Sequence, residues 1–116
     1  MTDLLVETDV LVDHLRGRRE FRAGHDRVYH SILTRAELFA GRAEQEDEVG
    51  ELLATLSEVG LNRHIAEEAG RIRRSSRLGL ADALVAATAL HLGVPLMTRN
   101  RRDFERVPGL KLRAPR

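Results

Sequence analysis

The sequence predicts an α/β sandwich whose sheet is mostly parallel, and three observations predict it. The segment DLLVET places three apolar residues between polar flanks, the pattern of a strand buried on both faces of a parallel sheet. Short apolar runs of this kind alternate along the chain with segments of helical spacing. The segment over residues 82–92 is apolar almost all round and ends at Gly93, so we expect a helix that packs into the core.

The first half of the chain predicts two strands and the helices that follow them. Residues 4–6 form the expected central strand, and Asp9 is placed to cap the next helix. A second strand is expected over residues 28–33, because β-branched and aromatic side chains favour strands. Thr34 and Glu37 then have the spacing of a capping box, so we expect a helix to begin at Thr34.

The second half of the chain continues the alternation. Asn62 is placed to cap a helix, and Pro108 and Gly109 precede a weak edge strand. The expected elements after the second helix are a helix over residues 44–56, a strand over 58–61, helices over 64–76 and 82–92, a strand over 95–98, a short helix over 103–106 and a strand over 110–112.

Length and composition restrict the possible functions. The 116 residues predict one domain, residues 1–116, and 19 basic against 18 acidic residues leave a net charge of only +1. The absence of cysteine excludes disulfides, thiol nucleophiles and iron–sulfur clusters, and the five histidines lack metal-binding spacing. No apolar run approaches the roughly 20 residues of a membrane span, and the N-terminus lacks a secretory signal pattern. We therefore expect a soluble, cytoplasmic protein.

Acidic and amide side chains follow the predicted strands. They are Glu7 and Asp9 after the first strand, Glu37 after the second, Asp82 at the head of the apolar helix, and Asn100 and Asp103 after the strand over residues 95–98. Ligands of an open parallel sheet gather at the carboxyl ends of its strands, so these side chains can converge at one edge. Carboxylates that lie close together repel unless a cation holds them, and oxygen ligands suit Mg²⁺ or Mn²⁺. The pattern predicts metal-assisted hydrolysis of a phosphodiester.

Each acid taken alone also has a structural explanation. Asp9 and Asp82 can be helix caps, Glu37 can complete a capping box, Asn100 can be a cap, and Asp103 can be an exposed turn residue. Capping does not explain why every one of these residues falls at the same edge of the sheet. The joint pattern therefore favours the metal site.

Four segments of the chain resemble the motifs of PIN-domain ribonucleases of the VapC toxin type. They are ETDVLVDHL, ILTRAELFAG, LADALVAATAL and TRNRRDFERVPGLKL, and they occur in the family's order over almost the whole chain. The resemblance implies a three-layer α/β/α sandwich, a Mg²⁺ or Mn²⁺ ion in an acidic pocket, and cleavage of RNA, typically tRNA or rRNA. It also implies a homodimer and a cognate VapB antitoxin whose tail blocks the pocket.

The resemblance assigns roles to individual residues. The implied catalytic residues are Glu7, Glu37, Asp82 and Asp103, and the implied metal ligands are Glu7, Glu37, Asp82 and Asn100. Two positions depart from the family pattern, which has Asp at position 7 and, in many relatives, Asp at position 100. The Glu7 carboxylate reaches farther than that of Asp by one bond, about 1.5 Å, so it predicts weaker metal binding, either as natural variation or as a change that disarms a toxin.

Arginines and apolar helix faces point to partners. Arg99, Arg101 and Arg102 bracket the expected pocket and are the candidate contacts to RNA phosphates. The few aromatic residues leave little surface for base stacking, so we expect the shape of the RNA to be recognised. The apolar residues expected to cover a homodimer interface are Leu38, Phe39, Leu52, Leu53 and Leu56.

Three alternative functions can each be compared with this sequence through one feature. A phosphate-signalling receiver domain needs a pocket lysine, and the only lysine, Lys111, lies in the last strand. A haloacid-dehalogenase-type phosphatase needs Asp where this chain has Glu7. A catalytically impaired PIN-like module would bind antitoxin or RNA without cleaving it, and Mn²⁺-dependent cleavage of RNA distinguishes it from a nuclease.

Overall fold

The structure, a computed structural model, describes residues 3–115 and contains a five-stranded sheet in which every neighbouring pair of strands is parallel. The strands are β1 (Leu4–Val6), β2 (Val28–Ser31), β3 (Ser57–Val59), β4 (Leu96–Met97) and β5 (Leu112–Arg113). The helices are α1 (Thr8–Leu15), α2 (Ile32–Phe39), α3 (Glu46–Ala54), α4 (Arg63–Ser75), α5 (Leu80–Leu92) and α6 (Arg101–Phe104). The predicted fold class is confirmed.

The order of the strands in the sheet is β3-β2-β1-β4-β5, so β1 is central, as the sequence predicts. The chain runs outward from β1 to β2 and β3, and then returns to the other side of β1 through β4 and β5. This reversal makes the carboxyl ends of β1 and β4 a topological switch point, where the loops diverge and leave a crevice.

The alternating side chains of β1 separate two apolar layers. Leu5 packs on one face of the sheet with residues of α4 and α5, whereas Leu4 and Val6 pack on the other face with residues of α1, α2 and α3. Helices α4 and α5 lie together on the first face, and α5 buries side chains along most of its length. Coverage of both faces explains why β1 is a continuous apolar run.

The predicted start of α2 is wrong. The helix begins directly after β2, and the side chain of Ser31 caps it by accepting a 3.0 Å hydrogen bond from the N–H of Leu33. Thr34 therefore lies inside the helix, fully buried, with its hydroxyl 2.9 Å from that of Thr8. Glu37 is consequently not part of a capping box, and its side chain is available for contacts outside the helix.

The predicted capping role of Asp9 is also wrong, and the alternative explanation of Asp82 as a helix cap does not hold. Glu7 occupies the N-cap position of α1 without a side-chain cap, and Asp9 lies in the first turn. Gly79 occupies the N-cap position of α5, and Asp82 lies in the first turn. Carboxylates in a first turn still benefit from the helix dipole, but their oxygens are not used to cap backbone N–H groups.

Two other predicted signals are confirmed. Asn62 caps α4 through a 2.8 Å hydrogen bond from the N–H of Ile65 to its Oδ1 atom. Gly93 ends α5 in the left-handed conformation, at a φ of +69°, which favours glycine. The helix predicted over residues 44–56 is present as α3, preceded by a 3₁₀ turn at Ala43–Gln45.

The ends of several elements differ from the predicted bounds, as is common for helix and strand termini. β3 begins at Ser57, β4 is confined to Leu96–Met97, and β5 begins at Leu112. α6 begins two residues earlier than predicted, so Asn100 occupies its N-cap position and Asp103 lies within it. This shift places both polar residues beside the carboxyl end of β4.

The apolar surface available for a partner is smaller than the sequence suggests. Leu38 and Leu53 are buried in the core between the sheet and the helices α1 to α3, and only Phe39 of the expected interface residues is exposed. Leu52 and Leu56 are half-buried against the same core.

Within residues 3–115, no helix is long and apolar enough to cross a membrane.

Candidate active site

Glu7 and Thr98 meet at the switch point. Glu7 follows β1, and its backbone N–H donates to the carbonyl oxygen of Met97 at 2.9 Å, which extends the pairing of β1 with β4. Thr98 follows β4 and is buried. Its hydroxyl Oγ1 donates to Glu7 Oε2 at 3.0 Å. Glu7, the first of the predicted site residues, is therefore held in place by the loop that follows β4.

The Thr98 hydroxyl also lies 3.4 Å from Asp9 Oδ2, so its single proton faces two carboxylates. The backbone N–H of Arg99 donates to the same Asp9 oxygen at 3.1 Å, and the N–H of Asn100 donates to Thr98 Oγ1 at 2.9 Å. The loop after β4 thus holds the carboxylates of Glu7 and Asp9 side by side.

The acidic residues act on one another electrostatically. Burial, the neighbouring Asp9 and the more distant Asp82 raise the pKa of Glu7 to about 8, although the Thr98 hydrogen bond opposes the change. Burial, followed by the charges of Asp103, Glu37 and Asp9, raises the pKa of Asp82. Carboxyl groups from four separate parts of the chain therefore share one region of negative potential.

Glu37 is tied to this region through Thr8, the residue after Glu7. Thr8 Oγ1 donates to Glu37 Oε1 at 2.7 Å and lies 2.9 Å from the hydroxyl of buried Thr34. These contacts join the first turn of α1 to the middle of α2. The orientation of Glu37 is consequently set from the carboxyl end of β1.

Asn100 and Asp103 are paired with each other. The side-chain amide of Asn100 donates to Asp103 Oδ2 at 2.6 Å, across the first turn of α6. Asp103 is exposed, yet its charge contributes to the raised pKa of Asp82. Asn100 thereby orients the last acid of the set toward its position beside α5.

Comparison with known proteins identifies the family. The PIN domain family model matches residues 4–110. The chain is 35% identical over 122 residues to Ribonuclease VapC19 of Mycobacterium tuberculosis, with 92% of this chain and 96% of that protein covered. It is 37% identical over 120 residues to Ribonuclease VapC10 of the same organism, with 93% and 90% covered. The chain belongs to the VapC family of PIN domains.

Solved structures of toxin–antitoxin complexes contain chains of the same fold. A toxin–antitoxin complex from Klebsiella pneumoniae contains a chain that is 32% identical to this one, with a TM-score of 0.83 and coverage of 92% of this chain and 94% of that chain. VapBC2 from Rickettsia felis, bound to a DNA fragment from its promoter, has a TM-score of 0.85 at 20% identity, with 99% and 100% covered. The second likeness concerns the fold alone.

The donor set of this PIN domain suits a hard divalent cation. The acids and Asn100 offer oxygen ligands, and Asp9 Oδ1 is a buried acceptor without a hydrogen-bond partner among the described residues. Within the described chain, no group of three His, Asp or Glu side chains is arranged to hold an ion by itself. Mg²⁺ is usually bound through one or two carboxylates and keeps several waters, so the residues present fit such an ion.

The three arginines expected at the pocket have different surroundings. Arg99 Nη1 lies 2.7 Å from each carboxylate oxygen of Asp13 on α1. Arg101 forms an exposed ion pair with Glu105, with 3.6 Å between Nε and Oε1. Arg102 is exposed and lines a cleft that also contains Asp82. In this PIN domain, therefore, only Arg102 of the three lines the cleft that contains Asp82.

Several residues that shape the site were not singled out by their sequence pattern. Thr98 looks like the end of a short strand, and only the pairing of β1 with β4 shows that its hydroxyl joins two acids. Asp13 lies four residues after Asp9, on the same face of α1, and this spacing is the signal that could have linked both to one partner.

Proposed function

We propose that this chain is a ribonuclease toxin of a toxin–antitoxin module and that it hydrolyses RNA phosphodiester bonds with Mg²⁺ or Mn²⁺ at the acidic switch point. The observation that carries the proposal is the meeting of acids at the carboxyl ends of the strands, where Thr98 contacts both Glu7 and Asp9 and Thr8 binds Glu37. Burial first, and then the charges of neighbouring acids, raise the pKa values of Glu7 and Asp82. Such repulsion is relieved when a cation is bound. The names of the VapC relatives support the substrate class.

Glu7 and Asp82 are the proposed principal ligands, with Glu37 and Asn100 completing the set through water or directly. A bound divalent cation would lower the pKa of a water molecule and shield charge on the leaving oxygen. Thr98 and the N–H of Arg99 orient Glu7 and Asp9 for this purpose. The buried Oδ1 of Asp9 adds an acceptor beside the ligands.

Glu37 and Asp103 are the proposed proton acceptors of the reaction. Glu37 Oε1 is held by Thr8, which leaves Oε2 to take a proton from the attacking water. Asp103 accepts a hydrogen bond from Asn100, and it is exposed to solvent near Asp82. Both residues are therefore positioned by hydrogen bonds rather than by packing alone.

The alternative, a module that binds RNA or antitoxin without cleaving, gains less support. Glu7 is longer than Asp by about 1.5 Å, which would displace a ligand beyond the tolerance of about 0.5 Å for a productive site. However, the relatives that cover more than nine-tenths of this chain are named ribonucleases. Glu7 is therefore proposed to weaken the site rather than abolish its activity.

We also propose a VapB-type antitoxin and a second copy of the chain as partners. The solved relatives include toxin–antitoxin complexes. A cleft of about 430 Å³ between α1, α2 and α3 is lined by apolar side chains, among them Val12, Leu15 and Val49, and by Glu37. A bound segment of an antitoxin could fill this cleft and reach an acid of the site at the same time.

The experiment that tests the function is a cleavage assay on purified tRNA and rRNA with Mn²⁺, Mg²⁺ or EDTA. We expect cleavage with either cation, none in EDTA, and none with Asp82→Asn. Glu44→Gln is the matched control, because Glu44 is an exposed acid paired with Arg42 outside the site. Equal cleavage in EDTA, or by Asp82→Asn, would contradict the metal mechanism. Failure of both the wild type and Glu7→Asp to cleave either RNA would contradict the ribonuclease function.

A further inference from the structure

Three arginines from two separate parts of the chain line one cleft beside the acids. The cleft has a volume of about 190 Å³ and lies between the segment that joins α4 to α5 and the segment that begins with α6. Arg77 comes from the first segment, and Arg102 and Arg106 come from the second. Asp82 and Asp103 line the same cleft, so the cleft adjoins the candidate active site.

We call this cleft, lined by Arg77, Arg102 and Arg106, the arginine cleft. Its three guanidinium groups are exposed and have no acidic partner in the part of the chain that the structure describes. Within residues 3–115, Arg77, Arg102 and Arg106 form no ion pair with another side chain, whereas Arg99 pairs with Asp9 and Asp13 and Arg101 pairs with Glu105. Three like charges that line one small cleft repel one another, and Asp82 and Asp103 of the same cleft form no ion pair with them in the described chain, so a bound anion would relieve the repulsion. The planar guanidinium group of Arg can donate two parallel hydrogen bonds to the oxygens of one phosphate, so phosphate is the anion that such a cleft would bind best.

We propose that the arginine cleft of Arg77, Arg102 and Arg106 binds the backbone phosphates of the substrate RNA next to the bond that is cut. The inference rests on the proposed function, since it names how that same site holds its substrate. Asp82 and Asp103 line the cleft together with the three arginines, so a phosphate held by the arginines would lie beside the acids of the proposed reaction. Arg99 instead belongs to the framework, because Asp13 holds its guanidinium group.

The grouping of arginines in one cleft explains how a chain of net charge +1 can bind a polyanion such as RNA. The acids alone would repel RNA, because ionised carboxylates and phosphates carry charge of the same sign. Positive charge in the same cleft attracts the phosphates of RNA toward the acids. The cleft contains no aromatic side chain among the residues that the structure describes, so it offers contacts to phosphate and sugar rather than to stacked bases.

The test is binding of a fluorescein-labelled, mixed-sequence RNA of about 20 nucleotides in EDTA, measured by anisotropy at several salt concentrations. The cleft variant is Arg77→Ala/Arg102→Ala/Arg106→Ala. The matched control is Arg63→Ala/Arg71→Ala/Arg74→Ala, which removes the same charge from exposed positions of α4 outside the cleft. Circular dichroism and thermal unfolding of both proteins check that each one folds.

We expect the cleft variant to bind at least about tenfold more weakly than the wild type at roughly 100 mM salt. The slope of log Kd against log salt should fall by about 0.7 for each phosphate that the protein no longer neutralises. The α4 control should change Kd by less than about twofold. Arg106→Lys, which keeps the charge but cannot bind a phosphate in a bidentate way, should fall between the wild type and Arg106→Ala.

Equal loss of affinity in the cleft variant and the α4 control would overturn the inference, because it would show a general effect of charge. Unchanged affinity and slope in the folded cleft variant would also overturn it. The binding assay uses EDTA and reads affinity rather than cleavage, so its result is independent of the nuclease assay. A chain that binds RNA through the cleft but never cleaves it would support the inference and contradict the proposed function.

Discussion

Arg99 and Asp13 are joined by two hydrogen bonds of 2.7 Å from one guanidinium nitrogen to both carboxylate oxygens. Asp13 is buried on α1, and Arg99 follows Thr98, whose hydroxyl faces Glu7 and Asp9. The pair therefore fastens the loop after β4 to the helix after β1. The hydrogen bonds and charge of Asp13 also raise the pKa of Arg99, as expected for an ion pair.

Loss of this pair should lower stability. We predict that Asp13→Asn reduces the free energy of unfolding by about 1–3 kcal/mol, because it removes charge-assisted hydrogen bonds from a buried acceptor. Arg101→Ala is the control, since the exposed Arg101–Glu105 pair should contribute less than about 1 kcal/mol. Urea unfolding of the three proteins measures the difference. Equal stability of Asp13→Asn and the wild type would show that the pair does not hold the loop.

Changes at Glu7 and Asp82 should act in opposite directions on cleavage. Glu7→Asp shortens the reach of the carboxylate by about 1.5 Å and should raise the rate of RNA cleavage by restoring the family's ligand. Asp82→Asn removes a charged ligand and should abolish cleavage. Isothermal titration with Mn²⁺ should rank the affinities in the same order. Unchanged rate and affinity in Glu7→Asp would mean that Glu7 is an adequate native ligand.

The stability of the metal-free protein should depend on pH through Glu7. Its pKa rises from 4.5 to about 8 on folding, mainly through burial. The folded state therefore binds this proton more tightly than the unfolded chain, and stability should fall as the pH rises between these values. We predict a lower Tm in EDTA at about pH 8 than at about pH 5.5, and a smaller difference in Glu7→Gln. An identical decrease in both proteins would assign the effect to other groups.

Mg²⁺ should oppose this loss of stability, because a cation binds the ionised carboxylates of the folded state and not the dispersed ones of the unfolded chain. We predict that the increase in Tm caused by about 10 mM Mg²⁺ is larger at about pH 8 than at about pH 5.5. Asp82→Asn should show little increase at either pH. A cation effect of the same size in this variant would point to non-specific binding.

Metal binding should depend on the hydroxyl of Thr98 more than on the shape of its side chain. It donates to Glu7 Oε2 and lowers the pKa of that group, so Thr98→Val should raise the pKa of Glu7 further. We predict weaker Mn²⁺ binding by Thr98→Val at about pH 7, with part of the affinity restored at about pH 9. Thr98→Ser keeps the donor and should bind almost as the wild type does. Equal affinities of Thr98→Val and Thr98→Ser would contradict a role for the hydrogen bond.

Local signals in the sequence identified most of the fold. The unbroken apolar run of β1 indicates burial on both faces, and it is the central strand. Asn62 and Gly93 mark the start of α4 and the end of α5, because a side-chain cap and a left-handed residue act within a few positions of the chain. The capping box at Thr34 was a comparable signal, but Ser31 caps α2 and Thr34 packs against Thr8.

The sequence by itself determined the parallel α/β fold and the recurrence of acids after its strands, since both depend on spacing within short segments. Only the tertiary structure decided which side chains meet. Asp13 and Arg99 are 86 positions apart, and Arg77 reaches the cleft of Arg102 and Arg106 from a different segment. Long charged side chains can pair with any neighbour of opposite charge, so their partners follow from the packing of helices on the sheet rather than from local pattern.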